Sequence, residues 1–249
     1  MFNYKEAKKK DLINFLTPLF KKGTVYIRPD DHKLGMRTGM MWNTPWVYAG
    51  DRIADQTTNC ILFQSIVLKY FNYIPARCQE CWKVVARPQT VSQLFEVYDF
   101  QQTSDRPSKC GIELRDGTSA LYGAYWYNKS VEEGFECKEY VEKAMAEISP
   151  NIGVILKRGC TEFERKFGPS IDWRVLDDQP EMEQYLQDHL VIEDHSDFRQ
   201  PEMLTDNVKC RWLEFAFEHG DKTYLEFTDQ APMFPELVTY HLPEVKDGV

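Results

Sequence analysis

Cys78-Gln79-Glu80-Cys81 places two thiols three positions apart, and single cysteines follow at Cys110 and Cys160. Thiolates are soft ligands and strong nucleophiles, so such a set points to metal binding or redox chemistry before it points to structure. The chain holds seven cysteines, an odd number, and it opens on Met1-Phe2-Asn3-Tyr4-Lys5 without the apolar core of a signal peptide. The expectation is a cytoplasmic protein with reduced thiols rather than a disulfide framework.

The elements that must position these thiols are read from the chain between residues 75 and 168. Trp82 to Arg87 is a strand stopped by Pro88. Thr90-Val91-Ser92-Gln93 is a capping box that opens a helix carrying Val91, Leu94, Phe95 and Tyr98 on one face. Cys110 to Arg115 alternates as a strand, Asp116-Gly117 signals a hairpin, and Thr118 to Tyr127 returns as an aromatic strand. Ser130-Val131-Glu132-Glu133 is a second capping box, Ile152 to Lys157 a short strand, and Thr161-Glu162-Phe163-Glu164 a third capping box. The order strand, helix, strand, strand, helix, strand is the split βαβ, ferredoxin-like arrangement of an α+β fold with an antiparallel sheet.

That topology brings the thiols to one edge. Cys78 and Cys81 precede the first strand, Cys110 begins the second, and Cys160 follows the fourth. The expectation is a four-cysteine metal site of Cys78, Cys81, Cys110 and Cys160, holding an iron–sulfur cluster or zinc, structural or redox-active. Arg77, Lys109 and Arg158 beside these cysteines would offset the charge of four thiolates. One Cys-x-x-Cys pair with two dispersed cysteines favours the wider cluster over a single zinc ion. Cys137 and Cys210 read as core residues. A thiol redox pair without metal is the nearest rival, but a thioredoxin-type pair opens a helix after a strand, and this pair precedes a strand.

Around this core, residues 1–74 read as an N-terminal helical and loop segment packing on it, and residues 169–249 as an acidic extension. Residues 29–56 are loop-rich, and Thr58 to Phe71 reads as a buried helix. In the extension, Glu181 to Leu190 and Asp206 to His219 read as helices and Thr223 to Phe227 as a strand. Net charge is −9 in all: residues 1–28 hold seven Lys/Arg against two Asp/Glu, and residues 171–249 hold 19 acids against six bases. This disfavours general binding to nucleic acid. No apolar run reaches the roughly 18 residues a membrane span needs. A protein partner is expected; the sequence fixes neither a reaction nor an oligomeric state.

Two local patterns resemble known families. Asn59-Cys60 opening the 58–71 helix, which ends in Tyr73-Ile74-Pro75-Ala76-Arg77, is similar to the nucleophile helix of transglutaminase-like cysteine enzymes. The resemblance implies a nucleophilic Cys60, with a His and an Asp on the following strands, yet no His lies between His32 and His189. Tyr122-Gly123-Ala124-Tyr125-Trp126-Tyr127 resembles the aromatic third strand of RNA-recognition modules and implies base stacking, although Thr118-Ser119-Ala120 stands where basic residues should.

Overall fold

The computed structural model describes residues 44–50, 72–192 and 200–234, with short stretches at 17–18, 20–23, 25–27, 29–30 and 34–36. Cys60 and the expected 58–71 helix lie outside the described residues. The fold is mixed α+β, built on a five-stranded antiparallel sheet.

The sheet comprises β3 (Trp46–Ala49), β4 (Trp82–Arg87), β5 (Ser108–Ile112), β6 (Tyr122–Asn128) and β7 (Gly153–Arg158), in the order β3-β5-β6-β4-β7. Two further strands near the N-terminus, β1 (Val25–Ile27) and β2 (Leu34–Met36), form a separate small sheet with β8 (Leu190–Ile192). The short helix α1 (Ala76–Gln79) precedes β4. The helices α2 (Val91–Gln102) and α3 (Val131–Ile148) follow β4 and β6, and α4 (Thr161–Phe167) follows β7. Beyond these stand α5 (Gln179–His189) and α6 (Glu202–Glu218).

The first two capping boxes form with both of their hydrogen bonds. Gln93 N–H donates to Thr90 Oγ1 at 3.2 Å and Gln89 N–H to Gln93 Oε1 at 2.8 Å. Glu133 N–H donates to Ser130 Oγ at 3.2 Å and Lys129 N–H to Glu133 Oε2 at 2.9 Å. In both, the returning side chain reaches the residue before the cap. At the third, Cys160 rather than Thr161 is the capping position, and no side-chain cap bond forms.

Helices α2, α3 and α6 pack on one face of the sheet. The residues that meet them are Val84 and Ala86 of β4, Cys110 and Ile112 of β5, Tyr122, Ala124 and Trp126 of β6, and Val47 of β3. Because successive strand residues point to opposite faces, Lys83, Val85 and Arg87, Lys109, and Tyr125 and Tyr127 are turned the other way.

Two expectations change here. Residues 29–56 are not only loop: Trp46–Ala49 becomes the fifth strand, at the edge beside β5. The approach is so close that a Cβ built on Gly111 would lie 2.1 Å from the carbonyl oxygen of Pro45, so only glycine fits there. The outer edge of β3 is covered by Gln200, whose amide donates to Trp46 O at 3.1 Å and whose Oε1 accepts from Tyr48 N–H at 3.0 Å. Thr223–Phe227 is a 3-10 turn, not a strand, because Asp221 caps it by accepting from Thr223 N–H at 3.1 Å. Asp221 also accepts from Val91 N–H at 2.6 Å and from the Tyr122 hydroxyl at 2.7 Å, tying the C-terminal region to the sheet and to the start of α2.

Candidate functional site

Alternation across the strands separates the four cysteines. Cys110 sits in the middle of the helix-covered core with no exposed surface, and burial pushes its thiol up. Cys78 is buried beside Ile74, Phe163 and Trp173 under the end of the sheet. Cys81 and Cys160 are half-buried, and Cys160 faces the side of the sheet away from α2 and α3. Among the described residues no group of three or more His, Cys, Asp or Glu side chains is placed to hold a metal ion. The expected four-cysteine metal site is therefore corrected. Register sets Cys110 level with Ala124, Ala86 and Val154, away from the Trp82 and Arg158 end of the sheet that Cys81 and Cys160 adjoin, and the pleat turns it into the core.

The second face of the sheet is unlike an ordinary solvated face. Read across the strands, one row runs Tyr48, Lys109, Tyr125, Val85, Ile155, and the next runs Tyr127, Lys83, Lys157. Lys83 keeps only 9% of its accessible surface. Lys83 and Lys157 stand directly opposite each other on neighbouring strands, a repulsive pairing unless each finds its own partner. Lys157 pairs with Glu164. Lys83 Nζ donates to Cys160 Sγ at 2.9 Å. Burial alone would lower the Lys83 ammonium, but the Cys160 and Cys81 sulfurs and the Tyr127 hydroxyl beside it raise it well above its ordinary value.

Gly159 makes this contact possible. In a straight strand Cys160 would point to the same face as Arg158. Gly159 instead adopts φ +62°, the left-handed region, and its N–H donates to Cys81 O at 2.7 Å. The chain turns there, and Cys160 comes to face Lys83.

Around this pair lie more cations. Lys109 Nζ stacks 4.2 Å from the Trp46 ring centroid and 5.6 Å from that of Tyr125. Burial, with Lys83 and Arg115 nearby, lowers Lys109 to about 7. Arg115 Nε donates to Glu113 Oε1 at 2.7 Å, Arg115 Nη2 to the Tyr125 hydroxyl at 2.7 Å, and that hydroxyl to Glu113 Oε2 at 2.7 Å. Burial would raise the Glu113 carboxyl, but these bonds from Arg115 and Tyr125 hold it below the usual carboxylate value. A small pocket opens here, lined by Lys83, Arg87, Arg115, Lys157, Cys160 and Thr161 among others, with no carboxylate in its lining.

The other residues singled out in the sequence have different duties. Arg158 clamps the chain: its Nε donates to Gln79 O at 2.6 Å and its Nη1 to Ser170 O at 2.9 Å, while its guanidinium lies 5.9 Å from the rings of both Trp82 and Trp173. Arg77 is exposed on α1. The aromatic strand is divided by the pleat. Tyr122 and Trp126 enter the core, and Tyr125 keeps 8% of its surface and Trp46 9%, so neither is an open platform for a stacked base.

Lys83, Arg87, Glu113 and Arg115 were not picked out by their sequence. A signal was present for one of them. Trp82-Lys83-Val84-Val85-Ala86-Arg87 puts a lysine inside an apolar strand, on the face opposite Val84 and Ala86, where an unneeded charge would be costly. The chain matches no protein-family model, no curated protein and no solved structure.

Proposed function

We propose that the pocket beside Lys83 binds a small anionic ligand and that the protein works by recognising or processing that ligand. The observation that carries this reading is the pocket lining: Lys83, Arg87, Arg115 and Lys157 converge with no carboxylate among them. Glu113 and, at 4.0 Å, Glu162 engage Arg115 and Glu164 engages Lys157, while no salt bridge to Lys83, Arg87 or Lys109 is found among the described residues. Holding this surplus of positive charge on a half-buried surface is unfavourable without a counter-charge. It is the more pointed in a chain whose net charge is −9. The cavity measures about 30 Å³, so a single anionic group would rest at its mouth against the cations rather than lie inside it.

A finer reading of the fold accompanies this one. Residues 75–168 are proposed to form a ferredoxin-like core, supported by the order β5-β6-β4-β7 and by the two helices α2 and α3 on one face. A reducing, cytoplasmic setting is proposed as well, since none of the described cysteines is in a disulfide. Among the described residues no helix is long and apolar enough to cross a membrane.

The test is thermal unfolding of the intact chain against inorganic phosphate and pyrophosphate, with chloride matching the ionic strength. A ligand at 100 times its Kd adds about 2.7 kcal/mol to the folded state, a shift of several degrees. Arg87→Ala should abolish most of that shift. Equal responses to chloride and phosphate, or an undiminished response in Arg87→Ala, would sink the proposal.

A further inference from the structure

We infer that Cys160 is a nucleophile, its sulfur held by the Lys83 ammonium and directed at an electrophilic carbon of a small carboxylate or phosphate-bearing substrate in the pocket. The substrate half of this inference rests on the anion-binding reading above; the nucleophile half does not.

Three observations lead here. Cys160 Sγ accepts from the Lys83 ammonium at 2.9 Å, and Lys83 is more than nine-tenths buried, so the charge on nitrogen faces sulfur with little water between them. An ammonium beside a thiol in a poorly hydrated site favours the thiolate, which is the reactive form. Second, the same pocket that exposes Cys160 gathers Arg87, Arg115 and Lys157, so an anion drawn into it arrives beside the sulfur. Third, the backbone is bent to this end: without the left-handed Gly159 the side chain of Cys160 would not reach Lys83. Titratable neighbours that bear on Cys160 are Lys83 and Cys81 at β4, Lys109 of β5 and Tyr127 of β6. Of these Lys83 is a cation, burial brings Lys109 down to about 7, and burial raises both the Cys81 thiol and the Tyr127 hydroxyl.

The step balances without a base. Sulfur attacks carbon, the carbon–sulfur bond forms, and the bond to the leaving group breaks with its electron pair going to that group. Lys83 keeps the proton it already holds and loses only its hydrogen bond to sulfur. Arg87 and Arg115 hold the substrate's anionic group throughout.

Alkylation of the intact chain tests both halves. Iodoacetate and iodoacetamide deliver the same kind of carbon with and without a negative charge, and iodide is the leaving group in each. Modification at Cys160 is followed by peptide mass spectrometry beside a free cysteine derivative. At pH 7 the rate at Cys160 should exceed that of the free cysteine derivative about tenfold or more. Iodoacetate should react at Cys160 at least as fast as iodoacetamide, and inorganic phosphate should protect Cys160. Lys83→Met should slow the reaction at pH 7 about tenfold or more, and Lys83→Arg should keep most of it. Arg87→Ala should remove the preference for iodoacetate and leave the rate with iodoacetamide unchanged. A Cys160 no faster than the free thiol, in a protein that still binds phosphate, overturns the nucleophile and spares the anion site. A fast Cys160 with no preference for iodoacetate and no protection by phosphate overturns the anion site and, with it, the substrate class.

Discussion

Cys110 and Cys160 are the same residue type, in strands of one sheet or at their ends, and the two faces of that sheet put them to opposite uses. On the helix-covered face Cys110 is a small apolar side chain among Val47, Ala124 and Ile112, with burial holding it in the thiol form. On the other face Cys160 meets an ammonium and lines a pocket. The first face is close-packed and contributes stability. The second concentrates charges at a cost in stability, and such sites are where function is built. The difference comes from how the backbone aims each side chain: the pleat turns Cys110 into the core, and the left-handed Gly159 turns Cys160 to the other face.

The comparison can be broken most forcefully on the covered face. Trp126→Ala removes one of the two largest fully buried side chains among the described residues and should cost about 3–5 kcal/mol in urea unfolding. A loss below about 1 kcal/mol would mean that this face is not the main source of stability. Gly159→Ala tests the turn that separates the two roles. At φ +62°, with the new Cβ placed 2.7 Å from the Trp173 ring, it should cost about 1–2 kcal/mol. It should also slow alkylation of Cys160, because the thiol is displaced from Lys83. Unchanged reactivity would detach Cys160 from its backbone bend.

Lys109 tests whether the second face carries strained charge. Its folded value lies near 7, below that of an ordinary lysine, so above about pH 7 the unfolded chain binds a proton that the folded chain has released. Stability should therefore rise with pH from about 7 to about 10, with a slope of at most about 1.4 kcal/mol per pH unit, and show none from this group below pH 7. Lys109→Met should remove that rise, which unfolding at a series of pH values measures. The smallest effect belongs to Cys110. It should stay unmodified by iodoacetamide in the native protein and react only as fast as the whole sheet opens. Labelling of Cys110 as fast as Cys160 would erase the contrast.

Much of the fold was legible because it is written locally. Thr90 with Gln93 and Ser130 with Glu133 announce helices by hydrogen bonds that span three or four residues, and these form. Alternation marked β4, β5 and β6 to within a few residues of their ends. What was not legible is non-local. Trp46–Ala49 is only four residues between Pro45 and Gly50, and its pairing with β5 depends on Gly111 some 60 positions away. The strand-like Thr223–Phe227 was overruled by one carboxylate, Asp221. Strand order alone put Cys110 at one sheet edge with Cys81 and Cys160, but it gives neither the register, which sets Cys110 level with Ala86, nor the face a residue takes. Lys83, the residue that gives Cys160 its environment, looked like an ordinary strand charge.

The late pairing of β3 also bears on how the chain assembles. Strands β4 to β7 and their helices are joined by connections within residues 82–158, whereas β3 must close the separate connection of residues 50–81 before Pro45 can meet Gly111. Closing long loops is slow relative to forming local contacts. The four inner strands should therefore organise first, with β3 docking afterwards onto a sheet edge already in place. In pulsed hydrogen exchange during refolding, amides of β4 and β6 should gain protection ahead of those of β3. Simultaneous protection would mean that the fifth strand belongs to the folding nucleus itself.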